Sequence, residues 1–231
     1  MPFLSAVIPD DRNRGARRAV TSSARNLYYR LPESFQRAVL VRRRQSEWLR
    51  AGIVFIHVPK AAGTTINEAL YGHFMGHVRA ADVDRWGSRA VRALPRFAVV
   101  RNPWDRVVSA YRFEKGWGGA DVPEFETFAS FVTRWLERRD PRKLNYVHQP
   151  QWQFVCDGSG TALVDHVGRF EDLQASVDFV HSVVPDLPAI GHSNRSGAPV
   201  DYRLFYTPDL AAIVGRIYAD DVRLFGYRFG E

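Results

Sequence analysis

Short apolar runs alternate with longer amphipathic stretches along this chain. Residues 53–58 form a nearly continuous apolar run, residues 97–100 form a second that ends at Arg101, and residues 163–167 form a third. Runs of this length without alternating polar positions are typical of strands that are buried on both faces of a parallel sheet. We therefore predict three strands in these ranges.

Helices are predicted in the stretches around those runs. Ser34 suits the N-cap of a helix over residues 34–50 that Gly52 ends. The apolar side of this helix would carry Phe35, Val39, Leu40 and Trp48. Further helices are predicted from residue 64 and over residues 103–111, 124–138, 171–183 and 209–218, the second of them starting at a proline that suits a first helical turn. Strands that alternate with helices indicate an α/β domain with a largely parallel central sheet flanked by helices.

The positive charge of the chain is concentrated at its amino end. The formal net charge is +7, and residues 1–52 hold eleven Arg and four acidic residues, so the whole excess lies there. We predict that residues 1–52 form a basic arm with one helix and that residues 53–231 form the main domain. Such an arm can contact an anionic polymer or surface, but a solvated extension explains it equally well, and nucleic acid is not required.

Composition narrows the class of protein further. A hydrophobic fraction of 45% and six Trp argue against disorder. The lone Cys156 excludes an intramolecular disulfide and a cysteine-based zinc cluster. The sequence has no run of about 18 apolar residues, and residues 1–20 lack the apolar stretch of a signal peptide. We expect a soluble cytoplasmic protein, with peripheral contact to the inner face of a membrane as an alternative.

Residues 55–65, FIHVPKAAGTT, have the order strand, loop, helix that suits an anion. Backbone N–H groups at the start of a helix point at such a ligand, and the helix dipole adds positive charge. Lys60 supplies a point charge, Gly63 permits close approach of the backbone, and Thr64 and Thr65 offer hydroxyl donors. An ordinary strand–turn–helix corner remains the alternative for this loop taken alone.

Two features sharpen the interpretation of this loop. The chain has only three Lys among 32 basic residues, so Lys60 suggests a need for a compact charge on a flexible stem. The loop is not the nucleoside triphosphate motif G-x-x-x-x-G-K-[ST], because its Lys precedes its Gly. The sequence also shows no strand that ends in an evident Mg²⁺ ligand, which a kinase would need. We predict no metal site.

A second anion motif follows the second predicted strand. Arg101 ends that strand, and Ser109 lies on the helix that starts at Pro103. Side chains at the carboxyl ends of parallel strands lie beside the crevice where α/β sheets bind ligands. Arg101 can grip a phosphate with two hydrogen bonds, and the Ser109 hydroxyl can add a third.

Together the two motifs resemble the donor-binding signatures of sulfotransferases that use 3′-phosphoadenosine-5′-phosphosulfate (PAPS). The resemblance is to family 2, the branch with the Golgi carbohydrate sulfotransferases and their bacterial relatives, here as a soluble bacterial-like member. It implies a P-loop-like three-layer α/β domain that releases 3′,5′-bisphosphoadenosine (PAP). It also implies that Lys60, Ala62, Gly63, Thr64 and Thr65 hold the 5′-phosphosulfate and that Arg101 and Ser109 hold the 3′-phosphate.

The resemblance continues downstream and covers residues 53–229. Residues 149–154 are similar to the family's H-x-x-P-Q segment, residues 167–173 to its "vGrfEdL" junction, and residues 218–227 to its Y-x-x-D…F-G-Y ending. Ala61 and Asn102 depart from the commoner Thr and Asp, and we expect little consequence of either change. By the same resemblance Asn194 and Arg195 lie in a loop that closes on the nucleotide.

Sulfuryl transfer needs a base for the acceptor hydroxyl and a cation for the leaving phosphate oxygen. Lys60 suits the second need. Of seven His, His57 is expected to be a hydrogen-bonded core residue, and four others lack a catalytic context. His73 and His77 follow the helix that begins at the first motif, so their segment can return over the donor. Gly76-His77 resembles the G-H element that carries the base in glycan-modifying family members, so His77 is preferred to His73.

We therefore predict a sulfotransferase that acts on a hydroxyl acceptor, by resemblance a carbohydrate or glycoconjugate. Two alternatives belong to other classes: a P-loop nucleotide kinase, which would bind ATP with Mg²⁺, and a basic module that binds a polyanion through residues 12–50. The acceptor, the oligomeric state and the role of the arm are not determined by the sequence.

Overall fold

The computed structural model describes residues 31–117, 125–186 and 200–231, the last residue of the first range by its backbone alone. Within these ranges three strands, β1 (Val54–Ile56), β2 (Arg96–Val100) and β3 (His166–Arg169), form one parallel sheet in the order β1-β2-β3. Every residue of β1 and β2 is buried, as the unbroken apolar runs predicted. The prediction of an α/β fold with a parallel sheet flanked by helices is confirmed.

The third strand begins three residues later than predicted. Residues 162 and 163 pair instead with the segment that precedes them: Ala162 bridges to Cys156, and the Leu163 N–H donates to the Val155 carbonyl at 2.9 Å. Only from His166 does the chain run beside β2, where His166 lies opposite Phe97. An apolar run alone does not reveal which neighbour its backbone pairs with.

Ten α-helices are found in the described ranges, together with a π-helix at Phe131–Leu136 and two 3₁₀ turns at Pro141–Lys143 and Tyr202–Phe205. The helices are α1 (Glu33–Ala51), α2 (Gly63–Tyr71), α3 (Ala80–Trp86), α4 (Arg89–Arg92), α5 (Pro103–Trp117), α6 (Phe128–Ser130), α7 (Trp152–Val155), α8 (Gln174–Val183), α9 (Pro208–Ile217) and α10 (Ala219–Phe225). Among the described residues no helix is long and apolar enough to cross a membrane.

Helix α1 packs into the same core as the sheet. Its residues Val41 and Trp48 are 0% and 1% exposed and belong to the cluster that holds the strands. The helix begins at Glu33 after Pro32, so the predicted Ser34 cap is wrong, and Phe35 is exposed at 52%. Proline fixes an extended entry that suits the residue before a helix, and this explains the earlier start. Gly52 ends the helix in the left-handed conformation as predicted.

The predicted helix over residues 124–138 is wrong in length and type. Thr127 caps α6 through its hydroxyl, which accepts from the Ser130 N–H, and the chain then widens into the π-helix. Of the apolar residues that the pattern places on the inner side of that helix, Phe128, Phe131, Val132 and Trp135 are buried, and Phe125 is partly buried. The sequence pattern thus identified the buried face of this segment, but not its π-helical hydrogen bonds.

The carboxyl end of the chain holds a helix that was not predicted. Helix α9 stops at Ile217, and α10 follows after Tyr218, where no further helix was predicted. The turn between them brings Asp221 into the interior at 0% exposure. Its carboxylate accepts the backbone N–H groups of Gln151 and Trp152, both at 2.9 Å. The carboxyl-terminal helix is thereby tied to the segment that lies beside the carboxyl ends of β1 and β2.

Candidate active site

The loop between β1 and α2 enters the left-handed region of backbone space twice. Lys60 has φ 68° and Ala62 has φ 59°, which residues other than glycine adopt seldom. Ala62 immediately precedes α2, so the first N–H groups of the helix face this loop. Strained backbone of this kind is concentrated at functional sites. Residues 60–65 therefore combine two left-handed residues with the free N–H groups of a helix start, an arrangement that favours an anion.

Arg101 connects this loop to the end of β2. Its Nη1 donates to the Lys60 carbonyl at 3.2 Å, and its Nε donates to Asp105 Oδ2 at 2.7 Å. Its guanidinium lies 4.1 Å from the centroid of the Phe170 ring. Among the described residues Nη2 has no protein partner, so that edge of the guanidinium is open to an anion. The two motifs that lie forty-one residues apart in the sequence are thus in contact.

A second arginine holds the same loop from within the core. Arg106 is 1% exposed, and its Nε donates to the Pro59 carbonyl at 3.0 Å while its Nη2 donates to the carbonyls of Val147 and Gln149 at 3.1 and 2.7 Å. From the sequence, Arg106 is expected to pair with a local acid or with the carboxyl-terminal segment. Its hydrogen bonds go instead to three backbone carbonyls, while Tyr218 and Asp221 of the carboxyl-terminal segment raise its pKa against the effect of burial. Arg106 therefore fixes the loop and adds positive charge beneath it.

The electrostatics of Lys60 reflect this crowding of cations. Burial lowers its pKa to about 8, the nearby charges of Arg101 and Arg106 act in the same direction, and Glu114 opposes them. Its Nζ lies 4.3 Å from the centroid of the Phe113 ring. An anion bound at the amino end of α2 would offset the repulsion among these three cations.

Gly63 is required by a neighbouring imidazole. A Cβ at this position would overlap the ring of His57, so the close approach expected of Gly63 is to His57. Asn67 Nδ2 donates both to the Gly63 carbonyl at 2.9 Å and to His57 Nδ1 at 3.0 Å. Since a carbonyl only accepts, this assigns the amide orientation and makes His57 Nδ1 an acceptor. His57 is a buried, hydrogen-bonded residue as predicted, although β1 ends one residue before it.

His77 lies against the other side of His57. Its Nδ1 and the His57 carbonyl are 3.0 Å apart, so Nδ1 carries the hydrogen and Nε2 carries the lone pair in the neutral ring. Burial lowers the pKa of His77 to about 4, which the hydrogen bond to His57 opposes and which Arg106 and Lys60 reinforce. At neutral pH the ring is therefore uncharged, with Nε2 able to accept a proton.

His73 is held in a different place. Its Nδ1 bonds to the Tyr71 carbonyl at 2.9 Å, and its Nε2 lies 3.3 Å from Arg44 Nη1, a donor on α1. Glu47, on the same helix, lies 3.7 Å away. The accepting nitrogen of His73 is thus already engaged by an arginine, whereas that of His77 is not.

An aromatic ring contacts His77, and a carboxylate lies near that ring and near Lys60. The Tyr146 ring stacks on the His77 ring with centroids 4.3 Å apart. Glu114 Oε1 lies 3.1 Å from His148 Nε2, and His148 is 2% exposed. Since Glu114 also acts on the pKa of Lys60 and Tyr146, its carboxylate lies close to both. An aromatic ring and a carboxylate therefore join His77 and Lys60 as candidate groups of the site.

Residues 50–228 match the sequence profile of the sulfotransferase family. The chain belongs to that family. Membership makes the protein a sulfotransferase, an enzyme class that takes its sulfuryl group from PAPS. No sequence among the curated proteins matches the chain. The matched range contains both predicted anion motifs, His77, Glu114 and Tyr146.

The predicted residues of this sulfotransferase are only partly brought together. The loop after β1, with Lys60, Ala62 and Gly63, meets Arg101 at the end of β2. The side chain of Thr64 is exposed and that of Thr65 is half-buried on the first turn of α2. Ser109 is half-buried on α5, one helical turn beyond Asp105, the partner of Arg101. Asn194 and Arg195 lie outside the described residues.

Two residues that support Arg101 through its backbone were not predicted from the sequence. The Gln151 side chain accepts from the Arg101 N–H at 2.9 Å and donates to the Arg101 carbonyl at 2.7 Å. Asp221 then holds Gln151 by its backbone, and burial raises the pKa of Asp221 to about 6 against the charge of Arg106. Both residues stood in segments that resemble the family, but only the folded chain shows that they support the site.

Proposed function

We propose that the protein transfers a sulfuryl group from PAPS to a hydroxyl group of a carbohydrate or glycoconjugate and releases PAP. The observation that carries this proposal is the contact between the two anion motifs, with Lys60 and Arg101 meeting at the amino end of α2. A donor with anionic groups at the 3′ and 5′ positions of one ribose needs two separate cationic contacts that lie within one crevice.

The residues present fit such a donor. Lys60, Ala62, Gly63, Thr64 and Thr65 are proposed to hold the 5′-phosphosulfate, and Arg101 and Ser109 the 3′-phosphate. Asn194 and Arg195 are kept as proposed contacts of the nucleotide. Support comes from the left-handed loop, the helix amino end and the open Nη2 of Arg101, each of which favours an anion.

In the proposed mechanism His77 takes the proton of the acceptor hydroxyl at Nε2, and the hydroxyl oxygen forms its bond to sulfur. The bond between sulfur and the bridging phosphate oxygen breaks, and Lys60 neutralises the charge that develops on that oxygen. PAPS supplies an activated sulfuryl group when bound. The His57 carbonyl supports His77 in this role, because the hydrogen bond at Nδ1 stabilises the imidazolium that forms.

A carbohydrate acceptor is favoured by Tyr146, which stacks on His77, and by Glu114, whose charge acts on Lys60 and Tyr146. Sugars pack their C–H faces on aromatic rings and offer hydroxyl groups to carboxylates, and Tyr146 and Glu114 present those two surfaces.

We also propose that residues 53–231 are the sulfotransferase domain and residues 1–52 a basic appendage that can contact an anionic surface. Its helix α1 shares the core of the domain, so removing the helix is expected to cost stability as well as charge.

Isothermal titration calorimetry with PAP tests the donor proposal directly. We expect micromolar binding without added metal, and Arg101→Ala should weaken it about tenfold to hundredfold, since a hydrogen bond to a charged group contributes about 1.5–3 kcal/mol. Arg142→Ala is the matched control, because Arg142 is exposed and pairs only with Asp140 in the described ranges. Binding of ATP with Mg²⁺ and no binding of PAP would favour a kinase, and binding of polyanions alone would favour the basic module.

The affinity for PAP should fall as the pH rises above about 8. Lys60 has its pKa lowered to about 8 in the free protein, so it is charged below that pH and neutral above it. Bound PAP favours the charged form and raises this pKa, so binding takes up a fraction of a proton that is small at pH 7 and grows as the pH rises through about 8. Calorimetry at pH 8 in buffers of different ionisation enthalpy measures the uptake. Lys60→Arg should remove it, because arginine stays charged; equal affinities at pH 7 and 9 would contradict the prediction.

A further inference from the structure

His57 has a second ring nitrogen that the proposed mechanism leaves unused. Because Nδ1 accepts from Asn67, the neutral ring carries its hydrogen on Nε2. That nitrogen lies at the level of Gly63, the first residue of α2, whereas Nδ1 lies toward Asn67, one turn further along the helix. Among the described residues Nε2 has no hydrogen-bond partner, and it is not one of the buried polar atoms left unpaired. Nε2–H therefore lies beside the first turn of α2, with no described residue accepting its hydrogen.

We propose that His57 is a donor-binding residue whose Nε2–H hydrogen-bonds to an oxygen of the 5′-phosphate or phosphosulfate at the amino end of α2. This inference rests on the proposed function, because it needs PAPS at that loop. Asn67 is the positioning residue of the pair: its amide fixes the tautomer of His57 and anchors the ring to the first turn of the helix. Asn67 is itself 0% exposed and leaves its own Oδ1 unpaired, which indicates that the amide is retained for the two bonds it donates.

A neutral donor suits this position better than another cation. Burial keeps the pKa of His57 well below its usual value, and the charges of His77 and Lys60 act in the same direction. The ring therefore adds a directed hydrogen bond without adding a further positive charge beside Lys60, Arg101 and Arg106. It also leaves His77, whose ring centroid lies 4.2 Å away, free to take up a proton during transfer.

Nitrogen-15 NMR of the histidine rings in the wild-type protein tests the inference, with His57 assigned by comparison with a His57 variant. We expect a protonated Nε2 and an unprotonated Nδ1 in the free protein, and a shift of the Nε2 signal on addition of PAP. Adenosine 3′-phosphate, which lacks the 5′-phosphate, should shift that signal much less. An unprotonated Nε2, or PAP binding in the calorimeter without any change at His57, would overturn the inference while the donor proposal stands. Absence of PAP binding would overturn both.

Two variants separate the roles of the ring nitrogens. His57→Asn retains an acceptor near Nδ1 for Asn67 but has no donor near Nε2, whereas His57→Gln places an amide N–H near the position of Nε2. We expect His57→Asn to weaken PAP binding about tenfold to hundredfold and His57→Gln to recover most of that loss. The thermal unfolding of each variant is measured alongside. Equal affinities of the folded variants would contradict the assignment, and if neither variant folds the NMR experiment decides.

Discussion

His77→Ala is expected to lower kcat about 10²- to 10⁴-fold, the range that a positioned general base contributes, while PAP affinity changes by less than about threefold. The reason is geometric. The His57 carbonyl holds the hydrogen on Nδ1, so that Nε2 is the accepting nitrogen in the neutral ring. Removing the ring removes the proton acceptor but none of the proposed phosphate contacts. Single-turnover assays with PAPS, beside calorimetry with PAP, measure the two quantities separately.

His73→Ala is the matched control, because both histidines follow α2 and only the ring of His73 is held by Arg44. It should retain turnover within about threefold. Near-normal turnover in His77→Ala, or a loss in His73→Ala as large as that predicted for His77, would reject the assignment. Loss of PAP binding in His77→Ala would instead mean that the variant disturbs the loop, which thermal unfolding would reveal.

The acid limb of the rate profile gives a second test of the same residue. Burial and the charges of Arg106 and Lys60 lower the pKa of His77 to about 4 in the free protein. A bound anion offsets those charges, so the pKa in the complex is higher and the base is stronger when the donor is present. Turnover should therefore fall as pH decreases through a pKa above 4, and this limb should be absent from the residual activity of His77→Ala.

The parts of the fold that the sequence predicted are those set by local periodicity. The strands around residues 54–56 and 96–100 are buried on both faces, and their apolar runs indicate this without knowledge of any partner. The third strand is displaced because residues 162 and 163 pair backward, which is a tertiary choice. The π-helix at Phe131–Leu136 escaped prediction for a related reason, since its buried positions also fit an α-helix.

The residues of the candidate site likewise fall into those that local motifs predict and those whose role only the folded chain reveals. Lys60, Gly63 and Arg101 stand in motifs whose residue types and spacing indicate anion binding. The residues that support them come from distant segments: Gln151 brackets Arg101, Asp221 holds Gln151, and the three carbonyls that bind Arg106 belong to two separate loops. No local pattern encodes such bonds, because each partner is an ordinary polar group until the chain is folded.

Lys60→Ala is expected to impair both binding and chemistry, in contrast to His77→Ala. The ammonium is proposed to meet the 5′-phosphosulfate in the ground state and the charge that develops on the leaving oxygen during transfer. We expect PAP affinity to fall about tenfold to hundredfold and kcat about 10²- to 10³-fold, the loss seen when one preorganised donor to a developing oxyanion is removed. The left-handed backbone at this position is equally strained for either side chain, so folding should change little.

Lys143→Ala, at an exposed position, is the control and should behave as wild type. If Lys60→Ala binds PAP normally and turns over at the wild-type rate, the loop after β1 does not hold the phosphosulfate; a fall in kcat alone would restrict Lys60 to the leaving oxygen.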